Sequence, residues 1–284
     1  MNNPPIELLN DFNRHFQTSM FYRPGANKQI TGLNRQKLTS IIAVRFGIIS
    51  PTLVSWLFQT NRHQALEHLN KLVKEGLLVL VKTHRSNDSR IYVPTYSAAK
   101  YAEQLTGIQT YFRSKANPQL SFNHNTVMHD LINAFVLLRG IHNWQTDESY
   151  TPFWQGFVTE KEFKRITNKD VRNIDGLVQE SDGALVAIEV EHSFKNKTTR
   201  RQILLKYLSA IKAGYYSKVF LVSHSLDILN DAKRLNNQII DELTSASNSK
   251  YKKDYLSDED AALLEASIIY RTKFCNEINE LFYQ

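Results

Sequence analysis

The chain has 284 residues, 42% of them hydrophobic, and a formal net charge of +7 at neutral pH. A single cysteine, Cys275, excludes an intramolecular disulfide and a cysteine-rich zinc site. There is no run of about eighteen apolar residues to span a membrane. The opening Met-Asn-Asn-Pro-Pro-Ile-Glu lacks the basic and apolar regions of a signal peptide, so the expectation is a cytoplasmic protein with no membrane insertion. The length allows two domains, each with its own core. Residues 1–116 hold 15 Lys or Arg against 6 Asp or Glu, a balance of +9; the remainder holds 20 against 22, a balance of −2, and the two sum to +7. A basic front half suits a polyphosphate partner.

Residues 1–28, with Pro4, Pro5, Pro24 and Gly25, read as an extension carrying a short helix over Glu7 to Gln17. From Arg35 to Phe46 Leu38, Ile41 and Ile42 recur at helical spacing. Ser50-Pro51 is an N-cap followed by proline at the first helical position, opening a helix through Phe58. A third helix runs from Asn61 to Lys74 and stops at Gly76. Leu66, Leu69 and Val73, backed by Ala65 and Leu72, form its predicted core stripe. Arg62, His63, Gln64, His68, Lys71 and Lys74 form its outer face. Leu77 to Lys82 and Ile91 to Pro94 then flank a polar tip at Thr83 to Arg90, and a helix over Ser97 to Leu105 closes the unit. Three helices followed by a hairpin with a basic tip resemble a winged helix-turn-helix domain over residues 29–108. The resemblance implies that helix Asn61 to Lys74 enters a major groove, while Lys82, His84, Arg85 and Arg90 meet phosphates or a minor groove. A protein-docking module is the alternative for the same unit.

Residues 109–120 read as a linker around Asn117-Pro118. A helix over Asn125 to Arg139 follows, with Leu131, Phe135 and Leu138 inward and His124, His129 and Asp130 at its start; Asp130 there also complements the helix dipole. Trp144 to Glu148 leads to a strand near Phe153 to Val158. Thr159 to Arg172 carries five basic residues among fourteen, as a loop against DNA or a solvated excursion.

Two short apolar runs then flank Glu180-Ser-Asp-Gly183, a hairpin pattern. Along the second strand Leu185, Ala187, Glu189 and Glu191 share a face, and the hairpin brings Asp175 beside Glu189. Carboxylates on so apolar a strand need a cation or another partner to offset desolvation. Asp175, Glu189 and Glu191 are therefore the candidate ligands of a hard divalent ion, Mg²⁺ or Mn²⁺. Acids simply facing solvent from a half-exposed strand are the alternative. Thr198 to Ile211 is helical, with Ile203, Leu204, Tyr207, Leu208 and Ile211 inward and Gln202 and Lys206 on the other side. Arg200 and Arg201 in its first turn oppose the helix dipole, a conflict that an anion such as a phosphate relieves. A strand at Lys218 to Ser223, a helix over Leu226 to Leu243, a link at Thr244 to Tyr255 and a single helix over Asp258 to Phe282 complete the chain.

The order helix, strand, hairpin, helix, strand over residues 122 to 224 resembles the PD-(D/E)XK nuclease core. Asp175 matches its aspartate and Glu189 its second acid. Ile174 stands where proline is usual and Glu191 where lysine is expected; Lys195 or Lys206 matches a lysine relocated downstream. The whole expected fold is thus α/β (α+β): a winged helix, a mixed-sheet nuclease domain at residues 121–243 and a C-terminal link and helix at 244–284. That layout, with His129, resembles the MobC-type (MOBC class) conjugative relaxases and their replication-relaxation relatives over residues 30 to 225. The resemblance implies a metal-dependent nickase that cuts one strand at a plasmid or integrative-element transfer origin during conjugative mobilisation. Its implied partners are the origin duplex, the nicked strand, accessory mobilisation proteins and a coupling protein. Lys195 or Lys206 adds positive charge at the phosphate, and Lys195, four residues after Glu191, has the shorter reach. The nucleophile is left open between water and a tyrosine, Tyr207, Tyr215 or Tyr216, with Tyr207 on the buried helix face. The alternatives are a replication or transcription regulator whose nuclease fold has lost activity, and a restriction-type endonuclease.

Overall fold

The structure, a computed structural model, describes residues 6–110, 112, 117–142, 152–167, 171–245 and 255–284. Pro4 and Pro5, the middle of the linker, Trp144 to Glu148, residues 168–170 of the charged stretch and most of the link after residue 245 lie outside the described residues. Among those described, eleven helices and two sheets form a mixed α and β fold. No described helix is long and apolar enough to cross a membrane.

Each early helix begins where its sequence supplies a side-chain acceptor for an orphan N–H. After α1 (Ile6–Gln17), Asn27 caps α2 (Lys28–Phe46), and Gly47, at φ 83°, ends it. Ser50 Oγ accepts from Leu53 N at 3.2 Å to open α3 (Pro51–Phe58), and Asn61 Oδ1 accepts from Gln64 N at 2.9 Å to open α4 (Arg62–Lys74). Strands β1 (Leu78–Lys82) and β2 (Arg90–Pro94) pair antiparallel, and α5 (Tyr96–Thr106) follows. The hairpin is tied to the helices by Ile49, whose N–H and C=O both pair with Tyr92, at 2.9 and 2.8 Å. The core stripe of α4 is Ala65, Leu69 and Leu72, with Leu66 and Val73 only half-buried at its flanks. That rotation from the expected Leu66, Leu69 and Val73 turns His68 inward.

The larger sheet has the order β3 (Gly156–Thr159), β4 (Gly176–Gln179), β5 (Leu185–Glu191), β6 (Lys218–Ser223) and β7 (Ile268–Tyr270). The first three strands are antiparallel and the last three parallel. The expected hairpin is present, with Gly183 at φ 86° in its turn. Its second strand is central and buried along its whole length. Alternation divides that strand between two cores. Val186, Ile188 and Val190 pack toward α6 (Val127–Ile141) and share one apolar cluster with residues of α2 to α5. Leu185 and Ala187 belong to the opposite cluster with α8 (Lys197–Lys212), α9 (Leu226–Thr244) and α10 (Asp258–Ser267).

Three expectations change. The extension is a packed element: Phe12 of α1 stacks on Phe163 with ring centroids 5.7 Å apart. The charged stretch after Thr159 is neither a loop nor a solvated excursion where it is described, but largely α7 (Glu160–Ile166), opened by a capping box between Thr159 and Glu162. Glu162 also takes a bidentate pair from Arg45 of α2, both bonds 2.8 Å. Burial opposes the Glu162 charge, yet Arg45 and then His15 hold its carboxyl well below the usual range. Finally, the single helix over Asp258 to Phe282 is interrupted. Ile268-Ile269-Tyr270 forms β7, which covers the edge of β6, and the chain resumes as α11 (Cys275–Phe282). Two adjacent β-branched residues and an aromatic favour a strand, and an uncovered β6 edge would leave ladder groups without partners.

Gly156 shows how closely α1 sits on this sheet: a Cβ there would lie 2.3 Å from the Phe16 carbonyl oxygen. Backbone cannot yield as a side-chain tip does. Gly156→Ala is therefore expected to destabilise the protein by about 1–3 kcal/mol, seen as a lower midpoint in urea or heat, whereas Gly183→Asn, strained by its left-handed φ but meeting open space, should cost less.

Candidate functional site

Parallel strands β5 and β6 end side by side at Glu191 and Ser223. Open sheets of this kind offer ligands a crevice at the carboxyl ends of their strands. Because β4 runs antiparallel to β5, its start lies at the same end. Gly176 is in register with Ile188, so Asp175 arrives opposite Glu189. Asp175 N donates to Ile188 O at 3.1 Å, and Val190 N donates to Asp175 Oδ2 at 2.7 Å, so the side chain replaces the next rung of the ladder. From α6, Asn133 Nδ2 donates to the Asp175 carbonyl at 2.7 Å. The expected meeting of Asp175 and Glu189 is thus built by register and fastened on two sides.

Each acid has a cation. Arg172 grips Glu189 through two bonds, of 3.0 and 2.9 Å. Lys195 and Arg200 both pair with Glu191. His129 Nε2 lies 3.3 Å from Asp175 Oδ2, and its Nδ1 lies 3.6 Å from Asp130. The expected involvement of His129 and Lys195 with these acids therefore has a geometric basis. Lys206 is exposed on α8 and forms no ion pair with these carboxylates. Arg200 and Tyr207 are seven residues apart, on one buried face of that helix, and Lys206 is rotated away from it.

The electrostatics are unbalanced. Burial and then the facing Asp175 push Glu189 up to about 7, despite its Arg172 partner. Burial also works against the Arg172 charge, but Glu189 outweighs it and holds the guanidinium firmly protonated. Both values rise, which favours the charge on Arg172 and opposes it on Glu189, because the carboxylate, deeper and facing Asp175, carries most of the desolvation and the repulsion. Burial opposes the His129 imidazolium too, yet Asp130 and Asp175 raise it to about 10. Lys195 is lowered by burial and then by Arg200.

Among the described residues no group of three or more His, Cys, Asp or Glu is arranged to hold a metal ion. Glu191 is committed to Lys195 and Arg200, away from the facing pair. In the facing pair both Glu189 oxygens are held by Arg172, and Asp175 Oδ2 by Val190 N and His129, so a cation there would share these groups. Mg²⁺ commonly takes only one or two carboxylates, completing its shell with water and substrate phosphate.

Several expected contacts change. Arg200 is 1% exposed, bonded to Glu191 and at 2.7 Å to Asn236, so it cannot meet DNA at the surface. Arg201 is half-buried beside Lys197 and Glu242 in a groove between α8 and α9. Tyr207 is fully buried, with Arg172 over its ring and its phenol pushed far up by burial. A strand cannot reach it as a nucleophile. On α4, His68 bonds Thr39 at 2.9 Å, packs edge-on to Phe58 and is lowered to about 4 by burial, so it is a packing residue and not a DNA contact. Arg62, His63, Gln64, Lys71 and Lys74 remain exposed, as do Lys82, His84 and Arg85 on the hairpin. Arg62 also reaches across to Asp88 at 3.0 Å, and Arg90 is half-buried, its Nε 3.4 Å from the Asp88 carbonyl.

The site also recruits residues that were not expected. Glu160 is bonded by Asn173 at 2.5 Å, and burial and then Asp175 raise its carboxyl. His192 packs 5.7 Å from His129 and 5.6 Å from His224, and Tyr283 bonds His192 Nδ1 at 3.1 Å. Position after Glu191 and Ser223 was the available signal for the two histidines. No family model matches this chain, and the comparisons with curated proteins and with solved structures returned no match.

His129 is expected to titrate near pH 10 in imidazole NMR recorded in EDTA, and to fall only part of the way toward its ordinary value in Asp175→Asn, because Asp130 still faces the ring. A raised folded value means that His129 contributes stability fully below pH about 6.5 and loses it as pH climbs through about 10. His129→Gln should therefore destabilise the fold at pH 6 and much less at pH 11, by urea denaturation.

Proposed function

We propose that this chain is a metal-dependent DNA nickase, of the kind its resemblance to conjugative relaxases implies, cutting one strand at a transfer origin. The observation that carries the reading is the facing pair Asp175 and Glu189 at the carboxyl end of β5, raised in charge density and ringed by cations. The exposed basic face of α4 and the hairpin supply the duplex-binding half, as in a winged helix, by neutralising phosphates.

Asp175 and Glu189 would hold Mg²⁺ or Mn²⁺. A divalent ion there supplies Lewis-acid polarisation of the phosphate and a more acidic attacking water. Lys195, 29% exposed at its side chain beside Glu191, offers positive charge to a phosphate at the crevice. The imidazolium of His129 fixes the Asp175 carboxylate and adds a second charge next to it. Arg172, held on Glu189 by two bonds, would share that acid with a bound metal.

The same pairing favours a second reading, a DNA-binding regulator whose acids are all satisfied by internal cations. The two separate in one experiment on a supercoiled plasmid that carries the cognate transfer origin. Wild type should convert it to open circles in Mg²⁺ or Mn²⁺. Asp175→Ala and Glu189→Ala should each lower that rate by at least about a hundredfold, as expected when a metal ligand is lost, while duplex affinity stays within about twofold. Absence of metal-dependent nicking by the wild type would leave the regulator. Linear product would point to a restriction-type enzyme.

Lys195→Ala should lower single-turnover cleavage at saturating DNA, with Lys206→Ala near wild type; the reverse ranking would transfer the role. Replacing Arg62, Lys71 and Lys74 together should reduce the slope of log affinity against log salt by about 3. An unchanged slope in fluorescence anisotropy would remove α4 from the phosphate contacts.

A further inference from the structure

Far from the strand-end acids, residues of α1, α2, α5 and α7 line a cavity of about 500 Å³, its open mouth included. Part of its wall is apolar: Ile41 and Val44 of α2, Ala102 of α5 and, just after α5, Ile108. The rest is largely charged and includes Arg45, Lys161 and Glu162. Arg45 is only 7% exposed. Its Nε and Nη2 are taken by Glu162, and Nη2 also donates to the Phe157 carbonyl at 2.6 Å. Nη1 is buried and has no hydrogen-bond partner among the described residues. Its hydrogens lie in the guanidinium plane, so the Phe157 ring, which covers one face with its centroid 4.4 Å from Cζ, does not serve them. Lys161 is exposed along part of its length, but its Nζ donates to the Phe46 carbonyl at 2.8 Å, and burial lowers its pKa. That ammonium has two further hydrogens to give.

We propose that this cavity binds a small monocarboxylate with an apolar body, its carboxylate on Arg45 and Lys161 and its body against the aliphatic wall. The site is independent of the nickase reading. A buried guanidinium N–H without an acceptor has lost its water and gained nothing in return. A lone water satisfies that group but leaves the aliphatic wall wet. A ligand with both parts uses both, and apolar walls with a few placed polar groups are the usual make-up of small-molecule sites. Charge selects the anion. Arg45 and Lys161 outnumber the one acid, Glu162, which Arg45 and His15 hold ionised. A single carboxylate takes up the surplus, whereas the Glu162 charge repels a dianionic phosphate more strongly. Arg165 also lines the cavity, but it is exposed, and water screens its charge. A ligand so placed touches α2 and α5 on one side and α7 on the other, and thereby joins the unit that carries α4 to the sheet.

The test titrates octanoate and benzoate into the whole chain by isothermal titration calorimetry, near neutral pH and below the concentration at which octanoate forms micelles. Octanamide and benzamide keep the apolar body and lose the charge; inorganic phosphate keeps a charge and loses the body. At least one of the two acids should bind at a single site, with its amide about tenfold weaker. Lys161→Met keeps the stem and should weaken the acid about tenfold. Ala102→Leu fills the apolar wall and should abolish binding, as should Arg45→Lys, which removes Nη1. Cooperative urea unfolding reports whether each variant folds. Lys161→Met, whose charge pairs with no acid, decides the matter where Ala102→Leu or Arg45→Lys does not fold. Failure of both acids to bind at millimolar concentration overturns the proposal. So do amides or phosphate that bind as tightly as the acids. Binding that is indifferent to Lys161→Met and to Ala102→Leu places the ligand elsewhere and overturns it as well.

Discussion

The bidentate pair between Arg172 and Glu189 marks the constraint that shapes this end of the molecule. A carboxylate on the central strand of a five-stranded sheet has lost its water, and its nearest strand neighbour presents another carboxylate, Asp175. Such an arrangement is costly unless cations or hydrogen bonds offset it. The surrounding elements answer one by one. The segment before β4 contributes Arg172, α6 contributes His129 and Asn133, and the β5–α8 connection with the first turn of α8 contributes Lys195 and Arg200. Even so, Glu189 remains raised, because burial and the facing Asp175 outweigh Arg172.

Buried ion pairs add little net stability, because desolvation offsets most of the Coulomb attraction. Packing several of them at a strand end therefore adds little to the fold's stability, and it is this cluster on which the proposed site rests. The same sheet end is where parallel strands open toward solvent, where His192 and His224 follow β5 and β6, and where Tyr283 is fastened over them. The distant Arg45–Glu162 pair works differently. It lies between α2 and α7 and joins the N-terminal helices to the sheet, with Glu162 held ionised by Arg45 and His15.

The chain also shows how surface charge misleads when read along one helix at a time. Arg200 and His68 both sit at positions that a helical wheel leaves ambiguous, at the border between polar and apolar faces. In the folded protein both turn inward, Arg200 to neutralise Glu191 and His68 to bond Thr39. Their burial follows from partners on other elements, which a local pattern does not contain. Lys206 shows the converse, a lysine near the site in sequence but rotated out of reach.

Much of the local structure was determined by the sequence alone. Ser50-Pro51, Asn61 and Gly76 set helix boundaries because they supply a capping oxygen or a left-handed turn within a few residues. Alternation around the Asp-Gly turn determined the β4–β5 hairpin, its shared face and the meeting of Asp175 with Glu189, since register over so short a loop is a local matter. Tertiary structure decided the rest. Whether Arg172 or a lysine would grip Glu189, whether the charged stretch after Thr159 would dock as a helix, and whether Ile268-Ile269-Tyr270 would leave its helix for the sheet all depended on partners far away in the chain. Glu162 needed Arg45 and β7 needed the open edge of β6, and no periodicity reports that a distant group will be waiting. Tyr283 was the least visible of all, because only the docking of α11 against α6 brings it to His192 and His224.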